Sequence, residues 1–163
     1  MKKHIKLQPR LKTIADFIET DASVADIGSD HGLLPVYLAQ QNPARRIIAS
    51  DISAGSLGAA QRLASKHSVT GFITFIVAPG LEAVDESEVD TIVIAGVGGE
   101  TIIGILESAP WTKQQGKRLI LQPQTKQAEL IHWLDDNGYF ISNTCSVFDR
   151  GRTYNIILVE AGE

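Results

Sequence analysis

The sequence predicts an α/β fold: a central, mostly parallel seven-stranded sheet ending in an antiparallel hairpin, with helices on both faces. Three observations lead there. Five short runs rich in Val and Ile, at residues 24–27, 46–50, 72–77, 91–95 and 118–121, alternate with stretches of helical pattern. Parallel strands covered by helices on both sides read as such apolar runs. Two longer strand-like runs, 139–148 and 153–160, end the chain, and Asp149, Arg150 and Gly151 join them as a hairpin turn. The 163 residues, 44% hydrophobic and 21% charged, match one globular domain with a single sizeable core. No internal repeat or linker divides residues 1–163, so one domain is expected.

The helices carry their own signals. Leu11, Ile14, Ala15 and Ile18 have helical spacing and place a helix before the first strand. Ser29 or Asp30 is expected to cap the segment from His31 to Gln41, with Pro35 tolerated near its first turn. Ser53 is expected to cap a helix carrying Leu57, Ala60, Leu63 and Ala64. A further helix spans about 100–107, after Gly98 and Gly99. Thr125 is expected to cap the last one, which carries Leu130, Ile131 and Leu134 and stops at Asn137-Gly138. Five parallel strands followed by a hairpin is the layout of a class I methyltransferase domain, a Rossmann-like fold. Dehydrogenase domains normally continue with a sixth parallel strand.

Several function classes are excluded. No run of ~18 apolar residues exists, so no membrane span is expected. The basic start lacks a following apolar segment, which argues against a secretory signal and for a cytoplasmic location. The one cysteine, Cys145, rules out an internal disulfide and a Cys-rich zinc site. It falls in a terminal strand, away from the edge where ligands bind, so no thiol nucleophile is expected. The four histidines have no metal-ligand spacing, and no metal is expected. No oligomer is predicted.

The net charge of −4 is uneven. Lys2, Lys3, Lys6, Arg10 and Lys12 give the first twelve residues +5, which leaves −9 on the rest. A basic arm on an acidic body is expected to touch a polyanion locally, or else to be a solvated terminus. Arg45 and Arg46 precede the second strand, on the sheet edge opposite the ligand edge, and are a weaker candidate.

The sharpest motif runs through Asp26, Ile27, Gly28, Ser29, Asp30, His31 and Gly32, at the turn from the first strand into a helix. Ligands bind α/β sheets at this carboxyl edge. A dinucleotide site takes G-x-G-x-x-G, whose backbone N–H groups meet a pyrophosphate. Here Asp30 stands in place of the second glycine and Asp26 precedes Gly28 by two. Two carboxylates repel a pyrophosphate and suit a ligand with a cationic end. S-adenosylmethionine carries an ammonium and a sulfonium and has no phosphate. The competing structural reading is a tight turn capped by Asp30.

Asp51 ends the second strand 23 residues after Gly28, where an acid accepts hydrogen bonds from ribose hydroxyls. It supports an adenosine ligand without specifying a methyl donor, and it can alternatively cap the helix near Ser53. After the fourth strand come Ala95, Gly96, Val97, Gly98 and Gly99. These glycines are expected to leave the mouth of the site open to a flat base. The Asp/Asn-Pro-Pro-Tyr/Phe motif of enzymes that methylate exocyclic amines is absent here.

With these residues in place, the chain resembles the bacterial tRNA adenine-N1-methyltransferase family of TrmK type, which methylates adenine 22 of tRNA. The likeness covers nearly the whole chain. Its specific pieces are Asp26-Ile27-Gly28-Ser29-Asp30-His31 and Leu119-Ile120-Leu121-Gln122-Pro123. Leu34-Pro35, Gly80-Leu81, Ala95-Gly96-Val97-Gly98-Gly99 and Trp133-Leu134 complete it.

The resemblance implies S-adenosylmethionine as cofactor and tRNA as partner. The cofactor is expected along Asp26, Gly28, Ser29, Asp30, His31, Gly32, Asp51, Ile52, Ala78, Pro79, Gly80, Ala95, Gly96 and Val97. Asp30 is the candidate catalytic carboxylate. Leu33 stands where the family has an aromatic residue, and Pro79 where it has an acid that holds the adenine amino group. Val97 replaces a frequent Met. The family continues into a helical C-terminal domain, which is expected to be absent from this chain. Two rival readings remain: a methyltransferase for another acceptor, and a non-catalytic S-adenosylmethionine-binding module.

Overall fold

The computed structural model describes residues 4–161. Helix α1 (Pro9–Asp16) precedes β1 (Val24–Ile27), α2 (Leu33–Gln41), β2 (Ile47–Asp51), α3 (Ala54–Lys66) and β3 (Ile73–Val77). Then come β4 (Thr91–Val97), α4 (Gly99–Glu107), β5 (Arg118–Pro123), α5 (Gln127–Asp136), β6 (Tyr139–Asp149) and β7 (Arg152–Ala161). The strands form one sheet in the order β3-β2-β1-β4-β5-β7-β6. β1 to β5 run parallel, and β7 is antiparallel to both β5 and β6. The expected fold class is present. Among the described residues, no helix is long and apolar enough to cross a membrane.

Side-chain alternation along the strands feeds two cores. Val24, Val93, Ile120, Ile156 and Leu158 pack with Ile14 of α1, Leu38 of α2 and Leu57 of α3. Their neighbours Ala25, Ile92, Ile94, Leu119, Leu121, Ile157 and Val159 pack with Ile102 and Leu106 of α4 and Leu130 and Leu134 of α5. Both faces of the central strands are therefore buried, which explains their unbroken apolar runs.

Some predicted caps hold and others do not. Ser53 caps α3, its Oγ accepting the Ser56 N–H at 3.2 Å. Pro9 opens α1, where its missing N–H costs nothing. The expected cap of α2 is corrected: the helix starts at Leu33, and Gly32 enters it with φ 77° and no side-chain cap. Ser29 instead donates its hydroxyl to the Asp26 carbonyl at 2.9 Å. Thr125 does not cap α5 either. Lys126 holds that place with φ 57°, and the Thr125 carbonyl accepts the Gly99 N–H at 2.8 Å. Left-handed entries leave no room for the side-chain cap that the residue types imply. At the hairpin tip Arg150 and Gly151 have φ of 51° and 80°. A two-residue turn of type I′ requires that pair of positive angles.

Gly32 is fixed by space as well as by φ. A Cβ there would lie 2.6 Å from the Ala60 Cβ, where α2 starts against α3. Gly32→Ala is expected to cost about 1–3 kcal/mol through overpacking. Urea unfolding should report it as a lowered midpoint with an unchanged slope.

Candidate functional site

Strand register sets the site. Ile27 of β1 lies level with Ser50 of β2 and Ile94 of β4, and β2 runs on by one residue and β4 by three at the same edge. The chain leaves β1 for helices on one face and β4 for helices on the other. A crevice opens between them, at the point where the strand order reverses.

The cleft there has a volume of about 640 Å³. Ten of the predicted cofactor residues line it: Asp26, Gly28, Ser29, Asp30, His31, Asp51, Ile52, Ala95, Gly96 and Val97. The other four do not. Gly32 packs against Ala60 instead. Ala78, Pro79 and Gly80 follow β3 on the loop beside this edge. Ala78 donates its N–H to the Asp51 carbonyl at 3.0 Å, and Gly80 sits against Ile105.

Asp26 is 6% exposed and lies at the floor. Burial pushes its carboxyl up to about 7, and the Asp51 charge adds to that. The Ser29 hydroxyl and the Arg10 charge act in the opposite direction. A desolvated carboxyl in an open cleft is a place for a cation.

Asp51 is partly engaged by its own loop. Its Oδ1 accepts the Ser53 N–H at 2.8 Å and its Oδ2 the Asp30 N–H at 3.3 Å. Each oxygen keeps a lone pair for a ligand. Asp30 stands at the mouth, its side chain 73% exposed, with His31 Nε2 3.7 Å away. Its φ of 49° turns the side chain out of the helix path. Ile52, 74% exposed, offers a bare apolar surface beside Asp51.

Gly98 and Gly99 do not open the mouth as expected. A Cβ on Gly99 would meet the Lys126 carbonyl oxygen at 2.5 Å, and one on Gly98 the Thr125 Oγ1 at 2.9 Å. They allow α4 to pack its start against the loop before α5.

Other elements supply residues that the sequence reading missed. Gln8, Arg10 and Leu11 come from α1 and its approach, and Asp149, Arg150 and Tyr154 from the hairpin. Arg10 belongs to the cleft and not to a solvated arm. Its Nη1 donates to Gln122 Oε1 at 2.9 Å, and its backbone N–H to Asp149 Oδ2 at 3.1 Å. Its guanidinium lies 5.7 Å from the centre of the Tyr154 ring. Gln122 Oε1 also accepts the Gly96 N–H at 3.1 Å. The one available signal was the Gln122-Pro123 pair at the end of the fifth strand. Of the other arm cations, Lys12 pairs with Asp16, Lys6 is exposed, and Lys2 and Lys3 lie outside the described residues. Among the described residues, no cluster of His, Cys, Asp and Glu is placed to hold a metal ion.

Comparison with known proteins agrees with this geometry. Residues 7–157 match the model of a methyltransferase domain family. The tRNA (adenine(22)-N(1))-methyltransferase of Bacillus subtilis is 35% identical over 159 residues, covering 98% of this chain and 67% of the relative. A Streptococcus pneumoniae structure with S-adenosyl-L-methionine superposes with TM-score 0.88 at 35% identity, over 94% of this chain and 72% of that one. Mycoplasma capricolum TrmK with S-adenosyl-homocysteine does so with TM-score 0.84 at 30% identity, over 96% and 71%. This identity and this superposition across nearly the whole chain leave one conclusion: the chain belongs to the TrmK-type tRNA (adenine(22)-N(1))-methyltransferase family.

Proposed function

We propose that the protein transfers a methyl group from S-adenosylmethionine to N1 of adenine in tRNA. The observation that carries this reading is the cleft itself. It sets a desolvated carboxyl, Asp26, across from a guanidinium, Arg10, with Asp51 at the neighbouring strand end. A zwitterionic amino-acid group fits between the first two, and a ribose fits the third. A pyrophosphate does not fit, because Asp26, Asp30 and Asp51 all border the cleft. The bound donor supplies a methyl group on a sulfonium, open to a nucleophile.

The chain's own residues bind and orient. Asp26 takes the ammonium end, and Arg10 takes the carboxylate while Gln122 and Asp149 hold it in place. Asp51 accepts the ribose hydroxyls, and Ile52 gives the adenine an apolar face. Gly28, Ser29, Ala95, Gly96 and Val97 form the walls. Asp30 faces the acceptor. Adenine N1 has a free lone pair, so catalysis is mostly orientation of two reactants. The methylated base gains positive charge, and a carboxylate at the mouth stabilises it. Ala78, Pro79, Gly80 and Gly32 support the site from behind. A tRNA acceptor supports a cytoplasmic location, and all the residues given roles here lie at one sheet edge of a single domain.

Incubation with unmodified tRNA and labelled S-adenosylmethionine is expected to yield 1-methyladenosine by mass spectrometry. Methyl transfer to a small molecule instead would favour the rival acceptor, and donor binding without turnover on any RNA would favour a binding module. Asp30→Asn is expected to lower kcat by about 10²–10⁴-fold with little change in donor affinity. Asp51→Ala removes charge-assisted hydrogen bonds of about 1.5–3 kcal/mol, so donor Kd should rise roughly 10- to 150-fold in calorimetry.

The state of Asp26 links binding to pH. Its carboxyl holds a proton up to about 7 in the free protein, and a bound ammonium favours the charged form. The complex then carries fewer protons than the free protein, so donor affinity rises with pH below about 7 and levels off above it. Titrations in buffers of different ionisation heat should detect a released proton near pH 6.5, about half a unit below that value. Asp26→Asn is expected to abolish the release and weaken binding.

A further inference from the structure

The acceptor is a polyanion, yet the cleft floor is acidic and several cations of the described residues are already engaged. Arg46 pairs with Glu88 at 3.8 Å, Arg118 with Glu19 and Glu160, and Lys12 with Asp16. Lys117 donates to the Glu86 and Val89 carbonyls, and Arg45 is 7% exposed. Lys6, Arg62, Lys66 and Lys113 are exposed and in no ion pair among the described residues, but none of them lines the cleft, and here the hairpin tip differs. Arg150 and Arg152 are exposed and in no ion pair among the described residues. Arg150 lines the mouth of the cleft. Arg152 lines an adjoining polar groove of about 140 Å³ with Gln124, Lys126, Gln127, Tyr154 and Asn155. Gln124 and Tyr154 border both, so groove and cleft adjoin. Lys126 is held by Glu129 at 3.5 Å, which leaves the two arginines as the unpaired cations at the hairpin end of the groove and cleft.

We propose that this groove seats the phosphate backbone of the RNA beside the nucleotide whose base enters the cleft. Arg150 and Arg152 are the phosphate anchors. The inference rests on the tRNA methyltransferase reading and names the surface that positions its acceptor. A base that receives a methyl group on its pairing edge has to leave its stack, while its flanking phosphates stay outside. Asp26, Asp30 and Asp51 repel those phosphates from the donor end of the cleft and the arginines attract them at the hairpin end. A guanidinium fork engages phosphate oxygens in pairs, so the contact fixes direction as well as distance. The type I′ turn puts Arg150 in a two-residue loop and Arg152 at the first paired position of β7, which keeps the entropic cost of ordering the backbone low.

The test compares the wild-type protein with Arg152→Ala, with Arg150→Ala/Arg152→Ala, and with Arg62→Ala/Lys66→Ala, a charge-matched pair exposed on α3. Direct tRNA binding is measured across a salt series, and methyl transfer across tRNA concentrations. The double hairpin variant is expected to raise the tRNA KM by about tenfold or more. Its slope of log affinity against log salt should flatten by about 0.7–0.9 for each phosphate that the protein no longer neutralises. Arg152→Ala should keep donor affinity and kcat at saturating tRNA. Unchanged tRNA affinity and slope in the double hairpin variant would overturn the proposal. So would an equal loss in the α3 pair, or a fall in donor affinity that matches the fall in tRNA affinity. A wild-type protein that methylates no tRNA would refute the parent reading instead, and the binding series would still decide the groove.

Discussion

The parallel register of β1 with β2 and β4 is the constraint from which the site follows. Ile27 lies level with Ser50 and Ile94, so three strands deliver their carboxyl ends to one edge of the sheet. Slipping any one strand by a residue would turn its apolar side chains out of one core and into the other. Both cores are closed, with Val24, Ile92, Val93 and Ile120 fully buried, so the register is strongly specified. The acidic residues at the strand ends need no local device to find one another. Burying the strands in the correct register brings Asp26 and Asp51 to the same edge.

That arrangement carries a cost. Asp26 sits among strands whose other side chains are apolar, and its carboxyl resists ionisation there. Arg10 offsets part of this from across the cleft. It is held from three sides: Gln122 at the end of β5, Asp149 at the end of β6, and the Tyr154 ring of β7. Gln122 is fully buried and shares its Oε1 between Arg10 and the Gly96 N–H, which joins the end of β4 to the same network. Buried polar groups are tolerated when each has its partners, and a network of this kind then fixes one geometry. Charge at the cleft floor is therefore organised by the far half of the sheet.

This explains which parts were legible in the sequence. Strands β1 to β5 announce themselves as Val- and Ile-rich runs because both of their faces are buried. The turn after β1 is legible because its residue types and spacing are local. Ser53 was legible as a cap for the same reason. Arg10 was not. Its partners lie 112 and 139 residues away, and its neighbours Lys6 and Lys12 made it look like part of a solvated arm. Gly98 and Gly99 misled in the opposite sense. Glycine types show that a backbone is approached closely, but not by what, and here the approach comes from the loop before α5 and not from a base. The caps of α2 and α5 failed because Gly32 and Lys126 enter those helices with positive φ, which residue type signals weakly outside glycine.

The terminal hairpin then has a role beyond closing the sheet. β7 covers the edge of β5 and contributes Ile156, Ile157, Leu158 and Val159 to both cores, so its position is set by burial. Its opposite end, with the tip and Tyr154, reaches past β5 to the cleft, where Asp149 takes the Arg10 N–H and Arg150 lines the mouth. A parallel sixth strand would have to return through a crossover helix and would bring no tight turn to this edge. An antiparallel pair brings one with only two loop residues. The departure from a dehydrogenase-like sheet thus puts a tight polar turn at the mouth of the cleft, while the cleft keeps the strand ends that all such sheets provide.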